Sequence, residues 1–418
     1  MQLFVYLGIM LASGFFAGEG DGAAWSQYGG ANRDFRSAEP RVRRQGEANE
    51  WRRSLGVGTS GIVSDGKTLF TMYSVPTPKN DNSGEEVVIA LDAASGKTRW
   101  EYRYSMARLN GQESYDDPRV RPQSTPAFSK GRLCTLGYSG LLKCFDAAKG
   151  KVLWQYDLVK EFGATPVQFG FSSSPLVYGE AFVVAVGGKQ SALIAFRPDN
   201  GTVLWKSEAA EPSYASPVVL RVGSEDQIVQ VNRDAILGVS AKNGAKRWSY
   251  PMPKPGYTNV PTPIALSEGR LLVSGQGLLA TRLLQITASN DGNKVTERWK
   301  NTQVILFFCN WFADERTVYG CVGDFVGALD LATGKELWSE RGQSNGNVLA
   351  IGKDVVLLRG DGLLSLCRMT PEKLEVRKSI TALKGRCWTP PTVIGDMLYL
   401  RDDSEIAAVR LASLSKTK

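Results

Sequence analysis

Few residues of this chain have the types and spacing that catalysis requires. Its 418 residues include no histidine, which excludes a Ser-His-Asp triad, an HExxH zinc site and a CxxCH haem attachment. Adjacent acids occur at Asp116 and Asp117 and at Asp402 and Asp403. Paired carboxylates could cleave a sugar polymer, but that reaction needs carboxyl groups on both sides of the scissile bond. A polymer-cleaving enzyme is therefore the third of three functional alternatives.

Six cysteines could form disulfide bonds. They fall into three local pairs, Cys134 with Cys144, Cys309 with Cys321, and Cys367 with Cys387. An even number of cysteines at short spacing predicts disulfides in an exported protein. The alternative is free thiols buried in strands, because cysteine is often buried and a cross-strand bridge needs a particular geometry. The sequence leaves both alternatives open.

Most of the chain is built from a repeat. The clearest copy is ALDLATGKELW, residues 328–338, and four others match it: ALDAASGKTRW, CFDAAKGKVLW, AFRPDNGTVLW and GVSAKNGAKRW. A looser copy is LLQITASNDGNKVTERW, which ends at Trp299. Each copy has the pattern of a β-hairpin: an apolar strand, a polar turn that ends with glycine, and a second strand that carries the tryptophan. The glycines that supply positive φ in these turns are Gly96, Gly150, Gly201, Gly244 and Gly334.

The repeat length predicts an all-β propeller. Its tryptophans, 39 to 54 residues apart, are Trp51, Trp100, Trp154, Trp205, Trp248, Trp299 and Trp338. This spacing is typical of four-stranded antiparallel blades that stack around an axis. We expect eight blades, at residues 59–104, 124–158, 173–209, 215–252, 260–302, 304–342 and 346–379, the eighth combining 388–411 with the N-terminal strand 49–55. Seven blades are the fallback, because residues 359–378 lack the repeat glycine and tryptophan.

The repeated residues are interpreted as structural, and none receives a catalytic role. The tryptophans, one per repeat, are expected to dock between blades. Asp92, Asp146 and Asp330 are expected to cap turns by accepting backbone N–H bonds. Ser/Thr-Pro pairs precede inner strands, where proline breaks no ladder hydrogen bond. These pairs lie at residues 125–126, 174–175, 216–217, 262–263 and 389–390.

The first 24 residues read as a secretory signal peptide. An apolar run from Leu3 to Phe16 is followed by small residues up to Ala24, where cleavage is expected. The alternative is an uncleaved anchor helix, although the run is short for a bilayer. No cysteine follows the run, which argues against a lipid anchor. The expected organisation is a signal at 1–24, an extension at 25–48 and one propeller domain at 49–418, in a periplasmic or secreted protein of a bacterial envelope.

The pattern ALDxxxGxxxW, with Ser/Thr-Pro opening the inner strand, resembles the pyrroloquinoline-quinone (PQQ)-type propeller repeat. It is similar to eight-bladed quinoprotein dehydrogenases and to the non-catalytic outer-membrane assembly propeller. The opening WSQYGGANRDFRS resembles the WxQxxGxNRD lead-in of exported bacterial members. Resemblance to the dehydrogenases would imply PQQ in the channel, a Ca²⁺ held by carboxylate and amide oxygens, an Asp base and a disulfide between adjacent cysteines. This chain has no adjacent cysteines, and the ligand set cannot be placed at matching positions.

The leading hypothesis is a non-catalytic, monomeric binding scaffold without cofactor or metal. Its partner would be an envelope protein, a peptide or an anionic glycan, since the net charge is +8 and the pI about 9.1. Neither nucleic acid binding nor membrane integration is expected. The alternative is a PQQ- and Ca²⁺-dependent alcohol or sugar dehydrogenase. The candidate binding residues, in loops around the channel mouth, are Arg119, Arg121, Tyr138, Phe171, Lys189, Tyr214, Arg233, Tyr257, Asp324, Asp361, Arg386, Trp388, Arg401 and Asp402.

Overall fold

Eight β-sheets follow one another along the chain in the computed structural model. It describes residues 25–38, 50–76, 84–106, 121–255, 259–289, 292–342 and 345–415. Each sheet contains a meander of antiparallel strands, and the last sheet is completed by a strand from the N-terminal part of the chain. The prediction of an eight-bladed β-propeller is confirmed, and the seven-bladed fallback is not needed. The predicted signal peptide lies outside the described residues.

The strands occupy nearly the positions that the repeat predicts. Two strands precede the first meander, β1 (Arg36–Ser37) and β2 (Trp51–Ser54). Blade 1 contains β3 (Val63–Ser64), β4 (Thr68–Pro76), β5 (Gly84–Asp92) and β6 (Thr98–Met106). Blade 2 contains β7 (Ala127–Ser129), β8 (Arg132–Leu136), β9 (Leu141–Asp146) and β10 (Lys151–Asp157). Blade 3 contains β11 (Leu176–Tyr178), β12 (Ala181–Ala185), β13 (Leu193–Phe196) and β14 (Val203–Lys206).

The remaining blades continue the same order. Blade 4 contains β15 (Val218–Val222), β16 (Glu225–Val231), β17 (Ala235–Ser240) and β18 (Lys246–Pro251). Blade 5 contains β19 (Ile264–Ala265), β20 (Arg270–Gly275), β21 (Ala280–Thr287) and β22 (Lys294–Asn301). Blade 6 contains β23 (Trp311–Ala313), β24 (Thr317–Val322), β25 (Phe325–Asp330) and β26 (Glu336–Arg341). Blade 7 contains β27 (Asn347–Ile351), β28 (Asp354–Leu358), β29 (Leu363–Met369) and β30 (Leu374–Thr381). Blade 8 contains β31 (Thr392–Ile394), β32 (Met397–Arg401) and β33 (Glu405–Arg410).

Helices are short in the described part of the chain. They are α1 (Leu158–Phe162), α2 (Leu411–Ser415) and a 3₁₀ turn at Ser267–Gly269. The Asp157 carboxylate caps α1 by accepting from Lys160 N, and Gly163 ends the helix at φ +62°. None of these helices is long and apolar enough to cross a membrane.

The ring is closed by the strand that the sequence assigned to this role. β2 pairs antiparallel with β33, placing Trp51 opposite Ala408. A second contact between the last blade and the first is made by Arg401 in β32, which is fully buried. It donates to Met72 O (2.8 Å) and Thr71 Oγ1 (3.0 Å) in blade 1. The last blade is therefore joined to the first by both backbone pairing and a buried cation.

The repeat tryptophans join each blade to the next. The indole N–H of Trp100 in blade 1 donates to Ala147 O in blade 2 (2.8 Å), and Trp154 in blade 2 donates to Pro198 O in blade 3 (2.7 Å). Equivalent bonds to the following blade are made by Trp51, Trp205, Trp299 and Trp338. Trp248 differs, because its indole N–H donates to Gln227 Oε1 in its own blade (2.7 Å).

The Ser/Thr-Pro pairs have a second role that the sequence did not indicate. The hydroxyl groups of four pairs accept backbone N–H bonds from the preceding blade, whereas the Thr389 hydroxyl donates to Thr59 O (3.0 Å). Gly61 N donates to Thr125 Oγ1 (3.1 Å), Thr125 N to Ser174 Oγ (3.0 Å), and Ser174 N to Ser216 Oγ (2.9 Å). Ser216 N continues the series to Thr262 Oγ1 (3.2 Å). Inner strands of five successive blades are thereby linked around the axis.

The contact between a turn glycine and the preceding blade's tryptophan can be tested by adding one methyl group. Gly150 has φ +68°, and a Cβ there would lie 2.6 Å from the Trp100 ring. Gly131 has φ +76°, but its Cβ would meet nothing within 4 Å. Gly131→Ala should cost about 1 kcal/mol of unfolding free energy through backbone strain. Gly150→Ala should cost roughly 1–3 kcal/mol more, because the seam is overpacked.

Urea unfolding measures this difference, provided that the unfolding free energies of the two variants depend equally steeply on urea concentration. Equal losses of unfolding free energy would show that the glycine is needed for its φ angle alone.

Candidate functional site

The N-terminal segment, residues 25–38, lies across the central channel, and we call it the axial segment. Ser64 N in blade 1 donates to Trp25 O (2.8 Å), and Ala350 N in blade 7 donates to Phe35 O (2.9 Å). Further hydrogen bonds join the segment to Phe128 in blade 2, Val177 in blade 3, Pro217 in blade 4 and Ala313 in blade 6. A segment bonded to the inner strands of six blades crosses the axis. Residues that the sequence assigned to an extension before the domain therefore lie inside it.

Arg33 anchors the axial segment. Its side chain is 3% exposed, and its guanidinium donates to Pro217 O (2.7 Å), Ser174 O (3.0 Å) and Pro175 O. Burial lowers the pKa of Arg33 to about 9, which leaves the group cationic at neutral pH. These carbonyls precede the inner strands of blades 3 and 4, where no ladder partner is available.

The double glycine of WSQYGGANRDFRS shapes the segment around Arg33. Gly30 has φ +85°, and a Cβ there would lie 3.1 Å from the Trp25 ring. A Cβ on Gly29, at φ +75°, would lie 3.1 Å from the Arg33 backbone. The glycines thus permit both the turn and its close packing. This motif gave the resemblance in the sequence, and its residues turn out to occupy the channel.

The described residues do not fit a PQQ and Ca²⁺ site. Arg33 and the carbonyls that it binds occupy the axial region, and burial raises the pKa of the neighbouring Tyr28 to about 12. In the described ranges, no three Cys, Asp or Glu side chains lie close enough together to hold a metal ion. Calcium requires several oxygen ligands, commonly including carboxylates.

Aromatic and arginine side chains converge at the channel mouth. Trp388, in the loop before blade 8, stacks on Phe308, in the loop before blade 6, with ring centroids 5.7 Å apart and planes 6° apart. Arg386 lies 4.5 Å and Arg121 5.7 Å from the Trp388 ring centroid. Arg121 comes from the loop before blade 2, which is two blades away from blade 8 and opposite blade 6 in the ring. We call Arg121, Phe308, Arg386 and Trp388 the mouth cluster.

Three predicted binding residues, Arg121, Arg386 and Trp388, are brought together in the mouth cluster. Sequence reasoning missed Phe308, which is 47% exposed. The sequence contains a feature that could have identified Phe308. Two consecutive phenylalanines, Phe307 and Phe308, stand in a loop rather than a strand. Arg119 and Tyr257 fall outside the described residues.

Tyr138, Phe171 and Tyr214 form a packed region beside the mouth. Tyr138 and Phe171 are buried, and Phe171 N donates to Tyr138 O (2.9 Å). The Tyr214 hydroxyl accepts from Phe169 N (2.8 Å), and burial raises the pKa of Tyr214 to about 12. The exposed group here is Phe169, at 43%. Of the predicted residues, half-buried Tyr214 holds the backbone of this phenylalanine, whereas the rings of Tyr138 and Phe171 are buried.

Four other predicted residues are dispersed around the mouth face. Lys189 is exposed. Arg233, Asp324 and Asp361 lie in turns between second and third strands and form ion pairs. Their partners are Glu211 (3.6 Å), Arg341 (3.3 Å) and Arg359 (2.5 Å). Exposed pairs of this kind contribute little stability, and the binding role of these residues stays a prediction.

Arg401 and Asp402 have structural positions that the binding hypothesis did not anticipate. Arg401 lies within the seam between blades 8 and 1, as described above, and is inaccessible to a partner. Asp402 is 4% exposed, and its carboxylate accepts from Gly385 N (2.8 Å) and Glu405 N (2.7 Å). It therefore caps the turn before β33 and holds the loop that carries Arg386.

The cysteines are all buried and free in the structure. Cys134 and Cys144 stand directly opposite each other on β8 and β9. Burial raises the pKa of Cys309 to about 11 and also raises that of Cys321, partly because Cys309 is close. Cys367 and Cys387, in contrast, belong to different hydrophobic clusters. The third predicted pair is not brought together, whereas the first two are neighbours.

Glu86 is a buried carboxylate that sequence reasoning missed. It accepts from Tyr138 N (2.8 Å) between blades 1 and 2, near the mouth face. Tyr104 and Lys143 are its neighbours, and the Lys143 ammonium lies 4.7 Å from the Tyr104 ring centroid. Burial raises the pKa of Glu86 above its ordinary value of 4.5. In the sequence, Glu86 is indistinguishable from Glu85 beside it, whose side chain is 47% exposed.

The sequence of this chain is similar to those of known propeller proteins. A family model described as outer membrane protein assembly factor BamB matches residues 84–306, more than half of the chain. The outer membrane protein assembly factors BamB of Shewanella oneidensis and Yersinia pestis are each 23% identical, over 295 and 269 residues. These matches cover 66% and 60% of this chain and 71% and 64% of the two relatives.

Two solved structures share the fold. BamB from Moraxella catarrhalis superimposes with a TM-score of 0.56 at 14% identity, covering 81% of this chain and 95% of that one. The quinohemoprotein alcohol dehydrogenase ADHIIG from Pseudomonas putida HK5 superimposes with a TM-score of 0.62 at 13% identity, covering 95% and 81%. At these identities the likeness concerns the fold alone.

The raised pKa of Glu86 predicts how stability changes with pH. Because the folded protein holds this proton more tightly than the unfolded chain, the stabilisation is fully present below pH 4.5 and is lost as pH rises through the folded-state pKa. Glu86→Gln keeps an acceptor for Tyr138 N and removes the charge. This variant should therefore be more stable than the parent at pH 8, with the difference disappearing near pH 4.

Urea unfolding at both pH values measures the effect. The control is Glu180→Gln, whose side chain is 79% exposed and which should match the parent throughout. A Glu86→Gln variant that loses stability at pH 8 would contradict the prediction.

Proposed function

The chain belongs to the propeller family described as outer membrane protein assembly factor BamB, and we propose that it is a non-catalytic scaffold of the bacterial cell envelope. In this proposal it is exported by its first 24 residues and works in the periplasm. It binds a protein of the machinery that assembles outer membrane proteins. The relatives are outer membrane protein assembly factors, which suggests this class of partner.

The filled channel is the observation that carries the proposal. Quinoprotein chemistry would need an axial cavity for PQQ, but Arg33 donates to three carbonyls in that region. Displacing the guanidinium would leave these buried acceptors without partners, at a cost of about 1–3 kcal/mol each. The axial segment thus supports a scaffold whose binding surface lies outside the channel.

The mouth face offers the surface for a protein partner. Phe169, Phe308 and Phe325 expose 43%, 47% and 43% of their surfaces. Phe169 and Phe308 stand on loops, and Phe325 begins strand β25. The closed ring holds all three, so little conformational entropy is lost when a partner binds. Aromatic residues and arginines dominate binding energies at protein interfaces, and the mouth cluster combines both.

A protein partner is favoured over an anionic glycan by the local charges. The net charge of +8 is distributed over the whole chain, and several mouth residues are already neutralised by ion pairs. Arg386 lies 3.6 Å from Asp403, and Arg341 lies 3.3 Å from Asp324. A mixed surface with exposed aromatic rings is typical of protein interfaces rather than of polyanion sites.

Site-specific photocrosslinking tests the proposed partner and surface. Phe308 is replaced by p-benzoylphenylalanine in the full chain, expressed in bacterial cells, and adducts are identified by mass spectrometry. The expected adduct is a component of outer membrane protein assembly. The matched control position is Val376, which is 51% exposed on β30 of blade 7 and should not give that adduct. The same adducts at both positions, or none at Phe308, would contradict the proposal.

Calorimetric titration with PQQ and Ca²⁺ tests the dehydrogenase alternative. We expect no saturable heat, and no dye-linked oxidation of alcohols or sugars, because the axial region is filled. Stoichiometric binding with turnover would overturn the scaffold hypothesis. Binding without turnover would also count against it, since it would show that the axial segment yields to the cofactor.

A further inference from the structure

A groove of about 230 Å³ crosses blade 6 and opens at the outer edge of the blade. Small residues form its floor, because Ser339 on β26 lies opposite Gly327 on β25, and Gly327 lies opposite Gly320 on β24. The row ends at Trp311 on β23, which is 3% exposed. Aliphatic side chains line the groove beside this row, and they belong to Val318, Val322 and Leu329. The groove is therefore apolar along its length and polar at the edge.

The other seven blades close the corresponding row. The third-strand residues that correspond to Gly327 are buried in those blades, namely Ile89, Lys143, Ile194, Leu237, Arg282, Ser365 and Ala407. Gly327 itself is only half-buried. The three atoms nearest to a Cβ built on Gly327 belong to Trp338 and Ser339 in the adjacent strand, not to blade 5. Blade 6 therefore leaves its third strand accessible from the groove.

The outer strand beside the groove, β26, has an open edge. In the described sheets it pairs only with β25. Gly342 N donates to Asp324 O (2.8 Å), and such bonds alternate along an antiparallel pair. Alternate residues of β26 therefore bond inward, whereas Ser339 and Arg341 direct their N–H and C=O groups away from β25. An extended peptide can bond to groups of this kind by adding a strand to the sheet.

Ser339 joins the open edge to the groove. Its backbone groups point to the edge, and its short side chain lies on the groove face, in line with Gly327 and Gly320. A side chain on an added strand, directly opposite Ser339, would point to the same face of the sheet. It can then extend over the small residues of the row. The other outer strands also have edges, but the third-strand residues behind them are buried.

The charge at the groove is negative. Glu336 lines the groove and is exposed, and its Oε1 accepts from Ser339 Oγ (2.8 Å). None of the ion pairs between described residues includes Glu336. Arg341, at the other side of the row, is neutralised by Asp324 (3.3 Å) and lies 5.8 Å from the Phe325 ring centroid. Complementary charge therefore favours a cationic residue beside the side chain that enters the groove.

We propose that this edge of blade 6 binds an extended segment of a protein partner in which one aromatic residue is flanked, at alternate positions, by lysine or arginine. The segment adds a strand antiparallel to β26, which is the more stable arrangement per residue. Its ring passes over Ser339 and packs above Gly327, and a flanking cation meets Glu336. An apolar cavity of about 150 Å³ holds benzene, so the groove has room for one ring. The edge shares no residue with the mouth cluster, so either surface can fail to bind without affecting the other.

Titration of the full chain with the end-blocked peptide Thr-Lys-Thr-Phe-Thr-Lys-Thr tests the edge. The peptide carries 4-fluorophenylalanine, whose fluorine signal should shift saturably as the ring enters the groove. In competition, the same peptide with alanine in place of the aromatic residue should bind at least about tenfold more weakly, as expected for the loss of a buried ring. N-methylation of the aromatic residue removes the donor to Ser339 O and should weaken binding at least about fivefold.

Two matched variants locate the binding site. Ser339→Trp covers the row of small residues and should weaken peptide binding at least about tenfold, because it takes the place of the inserted ring. The fold should tolerate the change, since the corresponding outer-strand positions of blades 3 and 5 carry the long side chains Lys206 and Lys300. The control is Ser249→Trp, an exposed serine at the same position of blade 4, which should bind like the parent.

Glu336→Gln tests the assigned charge. The parent should bind the lysine peptide about two- to fivefold more tightly than a peptide with glutamine in place of both lysines, and Glu336→Gln should bind the two equally. A lysine preference that persists in Glu336→Gln would overturn the role of this carboxylate.

Three results would overturn the proposal itself. The first is the absence of a saturable fluorine shift, and the second is equal weakening by Ser339→Trp and Ser249→Trp. The third is a molecular mass that rises with protein concentration for the parent but not for Ser339→Trp, because it would identify a second copy of this chain as the occupant. If Ser339→Trp fails to fold, the alanine and N-methyl peptides still decide, since neither alters the protein. Binding that is unchanged with both peptides would contradict the added strand and its inserted ring.

Discussion

Ring closure is the constraint on which this structure depends. Eight twisted sheets must meet at the same angle, since an error at one seam would accumulate around the axis. The chain meets this demand with directional bonds that recur at the same place, the Trp100 indole to Ala147 O and the Thr125 hydroxyl from Gly61 N being examples. Hydrophobic burial fills the spaces between blades but does not set their angle. The tryptophan and Ser/Thr-Pro positions therefore persist where the rest of the repeat varies.

A closed ring creates a second problem at its centre. The backbone preceding each inner strand presents carbonyl groups to the axis without ladder partners, and a buried carbonyl needs a donor. Arg33 supplies several donors from one side chain, which a neutral residue could not do. The axial segment thus completes the propeller as the strand β2 does, from inside rather than from the edge. The binding surface that we propose accordingly lies outside the channel, on the loops around its mouth.

The repeat allowed the fold and nearly every blade boundary to be predicted, because each blade carries the same local signals. Features that occur once were missed for the same reason. Arg33 stands in a motif with no internal copy, and Arg401 follows an apolar strand like any residue at a strand end. Glu86 follows Glu85, an acid of the same type whose side chain is 47% exposed. Comparing copies could have found the opposed glycines of blade 6, since Gly327 stands where blades 1 and 3 have Ile89 and Ile194.

Departures from the repeat therefore indicate where this propeller has properties beyond its architecture. Trp338 and Trp311 belong to the same blade, yet only Trp338 occupies the repeat position and finds its acceptor, Thr370 O, in the next blade. Trp311 stands on the inner strand, where the geometry of ring closure provides no carbonyl for an indole. Its indole nitrogen is buried without an acceptor among the described residues, and its side chain packs against Gly320, where a Cβ would lie 2.5 Å from Trp311 Cβ. The same reasoning applies to Phe308, whose ring extends from a loop that the repeat does not constrain and stacks on Trp388 from another blade.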